Sequence, residues 1–368
     1  MKKLFWIFIA SPVLFSARIW AQETVKDTVF LIPFADTVLL DEVVVKAHKT
    51  IPMNNRWSDL QPVDLVTVAG ANGNLYKALE TLPGTQIQGE SGRLLVRGGS
   101  SDETQTYIDG MHVLNPYTST AENIPARGRY SPFMFSGINL STGGHSQEYG
   151  EALSAVLPLE TKDNSRINKV GISPSTVGIG GGGNHAFRNA SLALNLDYQN
   201  LALYNKVYPG RIDFKKPYQM FSGATQFRYT PSGSSVFKIY VGYDRTDYSN
   251  YTDNNRYLFC LGENNVYLNS TFRTAISGGW EWFSGMAYSL FDRKVDGAVT
   301  EGDHWCEKQA ELHFKTKLSK KFHPTFRMDV GFESFLRWYE TRYSQVSVAD
   351  TKEISPTIEA VFGTVSYY

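Results

Sequence analysis

The chain has 368 residues, of which 42% are hydrophobic and 20% are charged. Its 36 basic and 36 acidic side chains give a formal net charge of zero, which argues against a nucleic-acid-binding protein because such proteins carry a basic excess. The 21 Tyr, 22 Phe and 7 Trp residues, together with 31 Gly, favour β-structure with many turns.

Residues 1–21 have the features of a signal peptide. Lys2 and Lys3 form a basic start and the apolar run LFWIFIASPVLFS follows them. This run is interrupted and too short to span a bilayer well, although an uncleaved anchor remains the alternative. No later run of 18 apolar residues follows, so we expect an exported chain that is either soluble or a β-barrel.

Residues 22–49 read as a periplasmic linker with one valine-rich segment. The segment has the sequence DEVVVKA and consists of Asp41, Glu42, Val43, Val44, Val45, Lys46 and Ala47. Three consecutive β-branched residues are suited to adding as a strand to the exposed sheet edge of another protein. The alternative is that they form the first strand of the next domain.

Residues 50–162 predict a small α/β domain. The stretch NGNLYKALETLPG indicates a short helix that ends at Pro83-Gly84. Two short strands are expected around the turn at Gly89 to Gly92. The stretch TYIDGMHV predicts a hairpin, because Asp-Gly supplies the positive φ angles of a two-residue turn. A further short strand is expected in SGINLSTGG.

Residues 163–368 show long alternation of apolar and polar side chains. One run places Leu312, Phe314, Thr316 and Leu318 on one face and Glu311, His313, Lys315 and Lys317 on the other. The runs have about 9–11 residues, which is long enough to cross a bilayer at a tilt. Tyrosines and tryptophans cluster near the run ends, as in interface girdles. The pattern predicts an antiparallel transmembrane β-barrel, with a soluble β-sandwich or adhesin as the alternative.

Residues 163–368 have room for roughly 8–10 strands with their connections.

The chain offers few residues for covalent chemistry. Cys260 and Cys306 lie near predicted loops and either form a disulfide or remain two free thiols. His304 beside Cys306 is too small a set for a metal site, so no metal and no cofactor are predicted. The glycines at 178–183 lack the strand–helix unit of a dinucleotide site. We find no nucleophile or acid–base cluster and predict no enzyme.

Four motifs occur in a fixed order: DEVVVKA, LETLPGTQI, LLVRGG with YIDGMHV, and INLSTGGHSQEYGEALSAVLPLETK. As a set, from Asp41 to about Lys162, they resemble the TonB-dependent receptors of Gram-negative outer membranes. The first motif is similar to a TonB box and the others to motifs of the family's plug domain. Pro158 departs from the family pattern. The plug motif residues are Arg97, Gly98, Gly99, Ile108, Asp109, Gly110, Glu148 and Gly150.

The resemblance implies an importer of the outer membrane, with a plug domain inside a barrel of about 22 strands. We therefore expect residues 163–368 to form only the N-terminal part of that barrel, incomplete. Its partners would be TonB, through the box, the outer-membrane lipid, and a scarce solute such as a siderophore, cobalamin, haem or an oligosaccharide, with no nucleic acid. Tyr117, Arg127 and Arg129 are candidate ligand residues at the plug apex. The alternatives are a non-transporting outer-membrane binding or adhesion protein, or a truncated receptor remnant.

A plug inside a barrel faces a polar lumen. Arg97 and Glu148 are therefore expected to contact lumen-facing residues such as Arg327, Asp329 or Glu333, unless they are solvated surface charges.

Overall fold

The computed structural model describes residues 57–367, apart from residues 72, 120–125, 163–167, 209–212, 252–257, 299–301, 324–325, 346–347 and 355–356. The predicted signal peptide and the segment Asp41 to Ala47 lie outside the described residues. The predicted boundaries of the four segments stay predictions.

The described part of residues 57–162 forms a small α/β unit, here called the N-terminal unit. Its elements in chain order are β1 (Trp57–Leu60), α1 (Pro62–Thr67), α2 (Leu75–Leu79), β2 (Thr85–Gln88), β3 (Arg93–Val96), β4 (Thr104–Ile108), β5 (Met111–Val113), β6 (Phe135–Ser141) and β7 (Ala155–Thr161).

Two sheets organise the N-terminal unit. The larger has the strand order β1-β6-β7-β4-β5, and the smaller pairs β2 with β3. Strands β4 and β7 run parallel, with Tyr107 opposite Pro158, so the proline interrupts the ladder but not the strand. The predicted helix is α2, which ends at Leu79, before the predicted end at Pro83-Gly84. The Asn74 side chain caps its start by accepting a hydrogen bond from the Tyr76 amide at 3.2 Å. The predicted strands and hairpin are confirmed.

The remaining described residues form one long sheet with a single helix after its third strand. Its elements are β8 (Lys169–Ser175), β9 (Gly178–Ala186), β10 (Ala190–Asn200), α3 (Ala202–Val207), β11 (Phe214–Ser232), β12 (Ser235–Tyr251), β13 (Leu258–Ile276), β14 (Trp280–Asp296), β15 (His304–His323), β16 (Phe326–Gln345), β17 (Val348–Ile354) and β18 (Thr357–Tyr367).

Neighbouring strands of the long sheet are antiparallel and follow chain order from β8 to β16. Strand β17 pairs with the last residues of β16 and β18 with the first, so these two strands share one position along its edge. The eleven described strands therefore fill ten positions, within the range expected from length. Strands β11 to β16 have 17–20 residues, more than the sequence runs suggested. Strands of that length extend beyond a bilayer core, which needs about 9–11 residues.

The two faces of the long sheet differ in polarity. On β15, Glu311, His313 and Lys315 are buried at 0–1% exposure, whereas Phe314 and Leu318 are 40% and 37% exposed. The buried face packs against the N-terminal unit and is here called the inner face. The apolar outer face is the one that lipid would contact. The alternation predicted from the sequence is confirmed.

The ends of the long sheet differ in the length of their connections. At one end, residues 187–189, 233–234, 277–279 and 324–325 make connections of two or three residues. At the other end the connection between β8 and β9 is also short, at residues 176–177, but the three longer connections, between β10 and β11, β12 and β13, and β14 and β15, all occur there. Bacterial outer-membrane barrels have short periplasmic turns and longer extracellular loops. The two ends are here called the short-turn end and the long-loop end.

The two cysteines are free thiols, and they lie on strands rather than in loops. Cys260 is on β13, opposite Asp296 of β14, and Cys306 is on β15, opposite Lys294 of the same strand. Strand β14 therefore separates them by two strand spacings, or roughly 10 Å. A disulfide needs Cα atoms within about 7 Å. The structure therefore contains no disulfide between Cys260 and Cys306.

No helix in the described ranges is long and apolar enough to cross a membrane.

Candidate functional site

The N-terminal unit and the inner face share one hydrophobic core. Tyr240, Tyr267 and Phe283 of the long sheet pack in the same cluster as Met111 of β5. Polar contacts accompany this packing: the Tyr267 hydroxyl donates to the Met111 carbonyl at 3.2 Å, and the Asn269 amide donates to the Ile108 carbonyl at 3.0 Å. Side chains of the inner face thus hold the β4–β5 hairpin by donating hydrogen bonds to its main-chain carbonyls.

The Asp109-Gly110 turn fixes the exit of the chain from the N-terminal unit. Both residues have positive φ, 51° and 83°, as a two-residue hairpin of this kind requires. The Asp109 carboxylate accepts hydrogen bonds from the Thr161 amide at 3.0 Å and its hydroxyl at 2.6 Å. The Lys238 ammonium of β12 lies 3.2 Å from the same carboxylate. Since Lys238 lies near the short-turn end, this turn points towards that end.

The Arg97-Gly98 turn lies at the surface of the N-terminal unit. Arg97 and Gly98 have φ of 50° and 79°, and the next residue packs closely, because a Cβ on Gly99 would lie 2.7 Å from the Ser154 side chain. Arg97 is exposed, and its guanidinium lies near Gly143 of the same unit. The predicted contact between Arg97 and the lumen-facing residues is therefore wrong, because the turn directs Arg97 along its own unit.

Glu148 contacts the inner face through Lys317 and Lys315, and of the three residues expected only Arg327 acts on its carboxylate, at electrostatic range. Its carboxylate accepts a hydrogen bond from the Lys317 ammonium at 2.6 Å, and Lys315 donates to its carbonyl at 2.8 Å. Burial alone would raise the pKa of Glu148, but the ammonium groups of Lys317 and Lys315 outweigh it, and the pKa lies below its ordinary value. Gly150 follows at the exposed turn. Glu148 is thus held in its ionised form against two barrel cations.

A second series of hydrogen-bonded polar and charged side chains crosses the interface, starting at His112 of β5. The Nδ1 atom of His112 lies 2.6 Å from Glu311, and its Nε2 atom lies 2.7 Å from the Gln105 amide oxygen. The Arg337 guanidinium donates to Glu311 at 2.6 Å and makes a two-pronged contact with Glu151. The Arg337 guanidinium thus lies between Glu311 of the sheet and Glu151 of the N-terminal unit, so each of these buried charges has a partner of opposite sign.

The main chain of His112 extends the contact to β15 and β16. Its amide donates to Nδ1 of His313 at 3.0 Å, and Nε2 of His313 lies 2.8 Å from Glu333. Lys315 lies 3.5 Å from the same carboxylate. Glu333 was predicted to face the lumen and to contact Glu148. It instead pairs with His313 and Lys315 on the inner face, next to His112.

Arg129 is buried in the interface, where its guanidinium is hydrogen-bonded. Its guanidinium donates to Asp244 of β12 at 2.7 Å and to the Asn115 carbonyl, with side chains 2% and 6% exposed for the ion pair. Burial alone would lower the pKa of Arg129, but the neighbouring Tyr130 and Asp244 raise it. Arg129 is therefore a buried structural cation.

The three candidate apex residues do not line one cavity. Tyr117 is buried, and its hydroxyl accepts a hydrogen bond from the Leu94 amide at 3.3 Å. Arg127 is half-buried within the electrostatic reach of Tyr218 and Asp197 of the long sheet. Of the three, only Tyr117 lines the cavity described next, and the ligand roles of Tyr117, Arg127 and Arg129 stay predictions.

A polar cavity of about 390 Å³ lies between the N-terminal unit and strands β14 and β15. Its walls include Arg93, Asp102, Thr104, Gln105, Asn115 and Tyr117 from the unit and Phe291, Arg293, Glu307 and Gln309 from the sheet. The sheet residues lie late in β14 and early in β15, which places the cavity towards the long-loop end. The β4–β5 hairpin thus presents its turn to one end and this cavity to the other.

Several of these residues were missed by sequence reasoning. Arg93 and Arg293 belong to no sequence motif. Which residues surround them depends on how the N-terminal unit packs against the long sheet, and the sequence does not show this. One signal was present: Arg293 and Glu307 fall on the polar side of alternating strands, which marks them as inner-face residues.

The geometry agrees with the known proteins that the chain resembles. Residues 64–156 match the family model of the TonB-dependent Receptor Plug Domain. The chain carries a TonB-dependent receptor plug domain. The N-terminal unit is therefore called the plug, and the long sheet has the fold of the first part of the barrel in these receptors.

Solved structures extend the likeness over most of the chain. Copper transporter OprC and the outer membrane transporter YddB from Escherichia coli are each 12% identical, with a TM-score of 0.63 over 85% of this chain and 52% and 55% of theirs. The ferric citrate transporter FecA is 11% identical, with a TM-score of 0.58 over 85% of this chain and 60% of its own. The chain spans little more than half the length of these structures. No curated protein sequence matches it. The match to the plug domain supports an outer-membrane location.

Proposed function

We propose that the chain forms the plug and the first part of the barrel of a TonB-dependent importer for a scarce solute. The observation that supports this most is the plug domain docked on the inner face of barrel strands through hydrogen bonds and ion pairs. An interface rich in polar contacts can exchange them for water as the plug moves, whereas a purely apolar one would have to expose its whole area. In this proposal the receptor binds the solute and the plug moves, and no covalent bond is formed or broken.

The energy would enter through the segment Asp41 to Ala47. A strand added to the sheet edge of TonB is held by main-chain hydrogen bonds along its length, and these share a load applied along the strand. About ten residues separate this segment from β1, the first described strand of the plug. Tension on the segment would therefore reach β1, which pairs with β6 inside the plug sheet.

The experiment is deletion of Asp41 to Ala47 from the receptor in its own cell. Uptake and surface binding are measured with ⁵⁵Fe-citrate, cyanocobalamin, haemin and a fluorescent oligosaccharide. We expect the deletion to abolish uptake of the transported probe and to leave its surface binding unchanged. Uptake that persists at the wild-type rate would contradict energy coupling through this segment. Surface binding without uptake in the wild type would favour the non-transporting binding protein.

A matched pair of substitutions separates main-chain pairing from side-chain identity. Val44→Pro removes one backbone N–H and should abolish binding of a peptide spanning this segment to the purified periplasmic domain of TonB. Val44→Thr keeps the N–H and the β-branched shape and should bind within a few-fold of wild type. Calorimetric titration measures both, and equal binding of the two variants would argue against strand addition.

A further inference from the structure

The cavity between the plug and strands β14 and β15 offers two guanidinium groups with unused hydrogen-bonding capacity. Arg93 of the plug has only a 3.6 Å ion pair with Asp102 and lies 5.5 Å over the Tyr117 ring. Arg293 uses its Nε to bond Glu263 at 2.9 Å, while its Nη1 stays 3.8 Å from Glu307. Among the described residues, neither terminal NH₂ fork makes a hydrogen bond. One guanidinium comes from each side of the interface.

A third polar group of the cavity wall, the Thr104 hydroxyl, has no hydrogen-bond partner among the described residues. The Thr104 hydroxyl is buried without a hydrogen bond in the described structure, and Thr104 is only 4% exposed. A buried polar atom without a partner costs about 1–3 kcal/mol, so such atoms usually mark the position of a water or a ligand. Thr104 lies at the start of β4, on the same wall as Arg93.

The charges of the wall limit which anion can bind. Arg93 and Arg293 are balanced by the carboxylates of Asp102 and Glu307, and Glu263 stands behind Arg293. A ligand with several negative charges would meet as much repulsion as attraction, and a mainly apolar ligand would leave the polar wall without partners. A single carboxylate can use the unused forks, because a guanidinium matches the planar carboxylate with two parallel hydrogen bonds.

We propose that this cavity binds a polar solute carrying one carboxylate, which Arg93 of the plug and Arg293 of the barrel hold together. The Thr104 hydroxyl and the amide side chains of Asn115 and Gln309 bind the neutral polar part. The proposal rests on the proposed function, since it names the class of solute that the importer takes. It also gives the ligand a position where it contacts both the plug and the wall.

The same chemistry occurs in acidic sugars and in short peptides, so the experiment has two arms. Galacturonic acid, which carries one carboxylate, and trialanine are titrated calorimetrically into the receptor purified in detergent, each beside its methyl ester. We expect at least one acid to bind at least about tenfold more tightly than its ester, because a hydrogen bond to a charged group is lost. Which acid binds identifies the source. Equal affinity of acid and ester in both arms, or no binding of either acid, would overturn the proposal.

Conservative variants show whether the forks are responsible. Arg93→Lys and Arg293→Lys keep each positive charge, and therefore its ion pair, but remove the fork. Each should weaken binding of the acid at least about tenfold and bring it close to the ester. Lys308→Gln, an exposed cation beside Glu307 on the outer side of β15, is the matched control and should bind like wild type. Wild-type affinity in both lysine variants would overturn the assignment to Arg93 and Arg293.

Failure of this proposal can be told from failure of the proposed function. Binding by the purified receptor needs neither TonB nor the segment Asp41 to Ala47. If the acids do not bind but deletion of the segment still abolishes uptake of another probe, the importer stands and only the solute class is wrong.

Discussion

Replacing Glu148 with Gln removes the charge of a plug carboxylate and keeps its shape. The Lys317 ammonium lies 2.6 Å from this carboxylate, and the two side chains are 21% and 20% exposed. In the variant, Lys317 loses the only carboxylate partner that it has among the described residues, while it remains mostly buried. The hydrogen bond from Lys315 to the Glu148 carbonyl is kept, because the backbone does not change. The substitution therefore isolates one of the ion pairs that hold residues 145–154 on the barrel wall, and the pair between Arg337 and Glu151 is kept.

The expected magnitude follows from this geometry. Hydrogen bonds that involve a charged group contribute about 1.5–3 kcal/mol, and the partial exposure of both side chains puts this pair at the lower end. We expect E148Q to lower the free energy of opening of residues 145–154 by about 1.5 kcal/mol, which corresponds to about tenfold faster amide exchange.

The assay is hydrogen exchange of residues 146–154 in lipid nanodiscs, applied to wild type, Glu148→Gln, Lys317→Met and the double variant. Each single variant should exchange about tenfold faster, and the double variant no faster than the quicker single one, because both changes remove the same interaction. If the two effects add to within about 0.5 kcal/mol, the residues do not interact and the reasoning is refuted.

The same pair has a defined pH dependence. The pKa of Glu148 is lower in the folded state than its ordinary value, since Lys317 and Lys315 outweigh the effect of burial. Its contribution is therefore fully present above the ordinary Glu pKa of about 4.3 and is lost as the pH falls through the lowered pKa. The exchange difference between wild type and E148Q should stay constant from pH 7 to about 5 and disappear at lower pH, after correction for intrinsic exchange rates. A constant difference down to pH 2 would contradict the shift.

Other contacts give further predictions. Arg129→Met leaves Asp244 buried without its cation and should cost about 3–5 kcal/mol in the unfolding of the plug by urea, whereas a cost under 1 kcal/mol would show that the pair is not buried. Gly99→Ala places a Cβ 2.7 Å from Ser154 and should destabilise the plug by about 1–3 kcal/mol, with partial recovery when Ser154→Gly is added; no recovery would place the strain elsewhere. Asp109→Ala removes the acceptor at the exit turn and should raise the proteolysis rate near residue 162 several-fold, and unchanged cleavage would argue against this role.

Much of the fold could be predicted, because the sequence carries its own periodicity. The alternation in β15 separates Glu311 and His313 from Phe314, and the structure buries the first two and exposes the third. The Asp109-Gly110 pair likewise predicts its hairpin, since few residue pairs adopt positive φ at both positions. Such features are local, so a single sequence contains them completely.

The pairing of charges across the interface could not be predicted. Glu148 was expected to contact Arg327, Asp329 or Glu333; its hydrogen bond comes from Lys317 instead, and only Arg327 of the three acts on it electrostatically. All four barrel residues lie on inner-face positions of β15 and β16, so alternation gives their side but not their height beside the plug loop. That height depends on the register between plug and wall, which is set by packing far from Glu148 and has no local sequence signal.

The contacts of His112 connect the cavity to the rest of the interface. Its imidazole contacts Gln105, which lines the cavity, and Glu311, which lies on the wall. Its amide contacts His313, and Gln105 in turn donates to the Asp102 carbonyl beside the cavity. A ligand that moved Gln105 would therefore change a hydrogen bond of a residue that also holds the plug on β15. Because buried polar groups need partners, such a change has to be compensated within the interface. One hydrogen bond, between Gln105 and His112, thus links the cavity to the contacts that retain the plug.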